Sequence, residues 1–138
     1  MPKVFPRSPY ARLAGYVHLP RLIDKARLHR QGLLEGYNYK TVGFDKQLLS
    51  YLEIDPDTFE ETVHRLQNDE AIVVWLQQNG RPHPAAEIEA WNQTLIQRGP
   101  DSTENIARFK FQLREVGGDT HPEVRTYFDL IELEEGRL

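Results

Sequence analysis

Between Gly15 and Arg30 the chain reads GYVHLPRLIDKARLHR, which sets His18, Arg21, Asp24, Lys25 and Arg27 within ten residues of one another. Imidazole is the side chain whose ordinary pKa suits proton transfer near pH 7. His18 therefore reads as an acid or base, Asp24 as the carboxylate that orients it, and Lys25 as an amine that becomes nucleophilic if desolvated. Arg21, Arg27 and Arg7 carry paired N–H donors suited to a carboxylate or phosphate. Tyr37 and Tyr39 straddle Asn38 in a glycine-flanked stretch, where their hydroxyls would close over a ligand. The catalytic candidates are thus His18, Asp24 and Lys25, and the substrate-binding candidates Arg7, Arg21, Arg27, Tyr37 and Tyr39. Each has a structural alternative. His18 can hydrogen-bond to backbone or to Asp24 while packing beside Leu19; Lys25 can sit in an ion pair; Arg21 and Arg27 can bridge Asp129 or Glu132; the tyrosine rings can seal the edge of the core.

Composition narrows the chemistry further. The chain has 138 residues and no cysteine, which excludes disulfides, thiolate metal sites and a thiol nucleophile. A metal would have to use His18, Asp24 and Glu132; no HxxxH or HExxH pair exists, so none is expected. GxxxxGK[ST], GxGxxG and GxSxG are absent, which leaves nucleotide binding and a serine hydrolase elbow without support and points to a site that needs no cofactor. No apolar run approaches a membrane span, and the N-terminus MPKVFPRSPYARL lacks the apolar region of a secretory signal, so a cytoplasmic protein is expected.

Net charge is −4, but residues 1–40 carry eight Lys or Arg against Asp24 and Glu35, while the remainder carries nine against nineteen. The basic third either faces a small anionic ligand or docks on the acidic C-terminal segment with Asp129, Glu132, Glu134 and Glu135. Nucleic acid is not the expected partner: the pI is about 5.7, and the aromatics are not interleaved with basic residues as stacking platforms.

Hydrophobic spacing of three and four, broken by cap chemistry, predicts seven or eight short helices with little or no strand, in one all-α domain over 1–138. Ser8-Pro9 opens a short helix that Gly15 ends. Pro20 starts the next, which places Leu19, Leu22, Ile23 and Ala26 on one face and runs to about Gln31, before Gly32. Residues 32–44 form a loop. Asp45 caps a helix with Leu48, Leu49 and Leu52; Asp55-Pro56 opens one with Phe59 and Val63; Asn68-Asp69 leads into one with Trp75, ended by Gly80. Trp91 marks a further stripe, Asp101 with Glu104 forms a capping box ahead of Phe109, and the last helix begins near Pro122 and buries Phe128. The expected core is Leu22, Ile23, Leu49, Phe59, Val63, Trp75, Trp91, Phe109 and Phe128.

The segments RSPYARLAGYVHLPRLIDKARLHRQG, GFDKQLLSYLEID, WNQTLIQRGP and TYFDLIELEEGR together resemble a family of bacterial proteins, domain-of-unknown-function family 5069, over essentially the whole chain. The resemblance implies a single helical domain and the motif positions Arg7, His18, Arg21, Asp24, Lys25, Asp45, Asp129 and Glu135. It implies no activity.

Two functions fit these residues. One is a small cofactor-independent enzyme of lyase, isomerase or hydrolase type, with His18 moving a proton on a small anionic or polar molecule held by Arg21 and Arg7. The other is a non-catalytic binding or interaction module whose charged cluster is structural. An enzyme requires a concave pocket beside His18, whereas a structural cluster is a closed network.

Overall fold

The computed structural model describes residues 4–138; Lys3, counted above in the basic third, lies outside them. Seven α-helices, one short hairpin and a single turn of 3-10 helix at Gly118–Thr120 make up the regular structure of the described residues, so the mostly helical class expected from the spacing is correct. The chain divides into two compact units, one ending at Glu89 and one spanning Ala90–Leu138.

The first unit opens with a correction. Where Ser8-Pro9 was expected to start a helix, strands β1 (Arg12–Leu13) and β2 (Tyr16–Val17) pair antiparallel, Arg12 opposite Val17 and Leu13 opposite Tyr16. Ala14 and Gly15 between them have φ of 53° and 86°, the two positive values of a type I′ turn. Helix α1 (Leu19–Arg30) follows, with Pro20 in its first turn and Gly32 at φ +71° just past its end. Helix α2 (Gly43–Leu52) begins after Val42, so Asp45 lies inside the first turn and is not the cap.

Helix α3 (Pro56–Leu66) is capped by Asp55, whose side chain accepts from the Thr58 amide, and α4 (Asp69–Asn79) by Asn68, which accepts from Ala71. Gly80 follows the end of α4 with an extended backbone, and a side chain does not fit there, since a Cβ would sit 2.9 Å from the Leu76 carbonyl oxygen and 3.1 Å from that of Leu52; next to it the Arg81 amide donates to Leu52 at 2.8 Å. Helices α1 and α3 pack together, and the buried apolar side chains of this unit include Leu22, Ile23, Leu48, Leu49, Phe59, Val63 and Ile72. Trp75 is only half-buried, as is Trp91; each lies off the innermost line of its stripe, where Ile72 with Leu76 and Leu95 are buried.

Helix α5 (Ala85–Ile96) runs across the boundary between the units. In the second unit α6 (Thr103–Glu115) is capped by Ser102, which accepts from the Asn105 amide, and not by Asp101. Helix α7 (Tyr127–Glu134) starts five residues later than Pro122 implied, because Thr126 is its cap, accepting from the Asp129 amide. Phe109, Val124, Leu130 and Leu133 form this unit's core, with Tyr127 edge-on to Phe109 at 5.6 Å. The acidic end of α7 is met locally: Arg137 bridges Glu132 at 3.2 Å and Glu135 at 2.7 Å.

Candidate functional site

His18 is set by its backbone before its side chain makes any contact. It occupies the left-handed region at φ 71° directly ahead of α1; its amide donates to the Pro9 carbonyl at 3.0 Å and its carbonyl accepts from Leu22 at 2.9 Å. Held at both ends, the side chain turns inward, where Nε2 lies 2.6 Å from Asp45 Oδ1. Lys25, on α1, reaches the same carboxylate at 3.2 and 3.3 Å and also donates to the Asn38 carbonyl at 2.9 Å. The Lys40 amide donates to Asp45 Oδ2 at 3.0 Å. Both oxygens of one carboxylate thus gather the hairpin exit, α1 and the 38–40 loop onto α2.

The cluster is sealed. Side-chain exposure is 1% for His18, 1% for Asp45 and 7% for Lys25. Burial pushes the His18 pKa down, outweighing the pull of Asp45, so the imidazole is neutral at pH 7 and donates Nε2–H to the carboxylate. Burial alone would raise the Asp45 pKa, but the His18 hydrogen bond, the Lys25 charge and the Lys40 amide together hold it below the ordinary carboxylate value. A neutral imidazole, an anionic carboxylate and an ammonium, all closed off from water, make an interior network rather than an open proton relay.

The other candidates lie in separate groups. Asp24 does not orient His18; it accepts from the Arg7 Nε at 3.0 Å, the Arg7 Nη2 at 3.1 Å and the Arg7 amide at 2.9 Å. The same guanidinium donates to Asp69 at 2.7 and 3.2 Å, and Arg27 faces Asp24 at 3.6 Å and Asp69 at 3.4 Å. Asp69 is accordingly held well below the usual carboxylate range, first by the Arg7 hydrogen bond. Two arginines offered as substrate clamps grip the protein's own carboxylates. Arg21 is buried, donates to the Arg7 carbonyl at 3.2 Å and lies 5.8 Å from the Tyr37 ring centre.

Tyr39 belongs to a third group centred on Glu60. Its hydroxyl donates to Glu60 at 2.8 Å, His29 Nδ1 lies 2.5 Å from the same oxygen, and Arg30 and Lys40 approach the other at 3.5 and 3.8 Å. Burial works to raise the Glu60 pKa, but the Tyr39 and His29 hydrogen bonds and the Lys40 charge bring the net below its ordinary value. Burial first, then that anion, pushes the Tyr39 phenol far up, so it is a donor only.

Asp45, Asp69, Glu60 and His29 are the members that reading by composition misses. For Asp45 the signal was present: it lies three, four and seven residues before Leu48, Leu49 and Leu52, in phase with the buried face of α2. Among the described residues no group of three or more His, Asp or Glu side chains is arranged to hold a metal ion, and no helix is long and apolar enough to cross a membrane.

The family model described as Domain of unknown function (DUF5069) matches residues 3–137 of the chain. No curated protein matches it.

Proposed function

Because the chain belongs to the DUF5069 family, whose description assigns no activity, we propose a function from its own geometry: a cytoplasmic, bacterial binding module without catalytic activity, in which the charged cluster around His18 is structural. The single observation that carries this is enclosure. His18 and Asp45 are each 1% exposed and Lys25 is 7% exposed, and of the carboxylate between them Oδ1 accepts from His18 and Lys25 and Oδ2 from Lys25 and the Lys40 amide. Removing Asp45 strands the buried Lys25 charge, a loss of about 3–5 kcal/mol, and removing the His18 ring takes a hydrogen bond from a buried carboxylate and opens a cavity, a loss of about the same size; in a domain of this size either is on the order of 10 °C in melting temperature.

The test is a set of thermal melts of the wild type, His18→Ala and Asp45→Asn with and without a panel of small carboxylates and phosphates. Both variants melt about 10 °C lower, and any gain from an anion in the wild type survives in them. A His18→Ala variant that keeps its fold but loses its response to an anion overturns the reading.

A second reading, the small acid–base enzyme, is favoured by one observation, the left-handed backbone of His18. Strain of this kind, of order 1–3 kcal/mol, concentrates at functional sites. In that reading His18 is the proton carrier for a small anionic substrate, and His18→Ala abolishes turnover while sparing stability.

A further inference from the structure

A cleft of about 580 Å³ runs along the exposed face of α3, walled by Asp57, Glu61, His64 and Arg65, with Arg30 from the end of α1 and Trp75 from α4. Its volume suits a small molecule, and it lies apart from the residues that enclose His18. Its charges are distributed unevenly. Glu61 and Arg65 stand at i and i+4 with the acid first, the spacing and order that favour an ion pair on a helix. That pair is not formed: Glu61 faces Arg30 at 3.6 Å, and Asp57 bonds to Lys40 at 2.8 Å. The Arg65 side chain makes no hydrogen bond or ion pair within the described residues. The Trp75 indole N–H likewise has no acceptor among them, although the side chain is half-buried.

We infer that this cleft binds a small aromatic monocarboxylate, its carboxylate on the Arg65 guanidinium and its ring on the Trp75 indole. A guanidinium presents two parallel N–H donors to a planar carboxylate, and an indole offers a wide flat surface with one polar edge. Asp57 and Glu61 are each met by a cation, Lys40 and Arg30, which leaves Arg65 as the cleft's uncompensated charge among the described residues, so a single carboxylate matches it while a second negative charge on the ligand finds no further cation to pair with, and a monocarboxylate is selected over a nucleotide. The inference deepens the binding-module reading and rests on it, since a module of that kind needs a site that its structural cluster does not occupy.

The experiment is a calorimetric titration of the full chain with indole-3-acetate and benzoate, with acetate as the anion lacking a ring, phenylacetamide as the ring lacking a charge, and AMP as the doubly charged aromatic. The Trp75 indole resonance is followed in parallel in nitrogen-15 spectra. Both aromatic carboxylates bind and shift that resonance, while acetate, phenylacetamide and AMP bind at least tenfold more weakly. Arg65→Ala, an exposed change that leaves the fold intact, weakens binding about tenfold to a hundredfold, the range set by one charged hydrogen-bonding partner. Trp75→Leu weakens it as well. Silence of the wild type toward both carboxylates overturns the inference, as does affinity unchanged in Arg65→Ala and Trp75→Leu alike; equal affinity for AMP overturns the charge argument. These outcomes are separate from failure of the underlying reading, which appears as turnover or as binding that depends on His18 and ignores Arg65.

Discussion

His18 combines a left-handed backbone, a ring shut away from water and a carboxylate 2.6 Å from Nε2. The same burial that makes it useless as a surface base gives stability a particular pH dependence. Its folded pKa is lowered, so at pH below the ordinary histidine value, about 6.5, the unfolded chain takes a proton that the folded chain resists. The stabilisation is therefore complete above about pH 6.5 and is lost as pH falls through the folded value. Asp45, also lowered, adds a second loss below its own ordinary range near pH 4. Melting curves at pH 7 and pH 5 should show the wild type falling more steeply than His18→Gln, which starts lower but lacks this proton linkage. Equal slopes for the two proteins would place His18 outside the buried network.

Among the elements, the caps and the hairpin explain why boundaries departed from the sequence pattern. Asp101 and Ser102 both offer a cap oxygen, and Asp101 with Glu104 has capping-box spacing, but the extended residue that accepts from N3 is Ser102. Ser102→Ala should cost about 1 kcal/mol and Asp101→Ala close to nothing, measured by chemical unfolding; the reverse order would restore Asp101 as the cap. The hairpin turn is Ala14-Gly15, where Asn-Gly or Asp-Gly is the usual signal. An L-residue with a Cβ in the left-handed region is disfavoured by roughly 1–2 kcal/mol. Pairing across β1 and β2 imposes that conformation, and no local propensity announces it.

For the molecule as a whole, the charge asymmetry resolves largely into internal networks of different exposure. Arg7, Asp24, Arg27 and Asp69 are partly open, with 40% of the Arg7 side chain exposed, whereas His18, Asp45 and Lys25 are sealed. Salt screens what water reaches, with a Debye length of about 10 Å at 0.1 M and 3 Å at 1 M. The destabilisation caused by Asp24→Asn should shrink between 0.1 and 1 M NaCl, and that caused by Asp45→Asn should stay the same. A double-mutant cycle on Arg7 and Asp69 should return a coupling of about 0.5–3 kcal/mol. Salt sensitivity of the Asp45 variant, or additivity of the Arg7 and Asp69 variants, would contradict the two networks.

The sequence alone determined the helical class and most of the core. Periodicity of Leu, Phe and Val at three and four is a local property of a 3.6-residue helix, and Asp55-Pro56 and Asn68 carry their cap chemistry wherever they stand. Tertiary structure alone decided which carboxylate each cation meets. His18 and Asp24 are six residues apart, on one turn-and-helix segment, yet His18 turned to Asp45, 27 residues away, and Asp24 to Arg7, 17 residues away. Ion pairing depends on distance in space and on removal from water, and neither is written in sequence spacing. The Glu61–Arg65 spacing shows the same limit: a favourable local pair gives way when Arg30, from another helix, takes the carboxylate and leaves Arg65 facing the cleft.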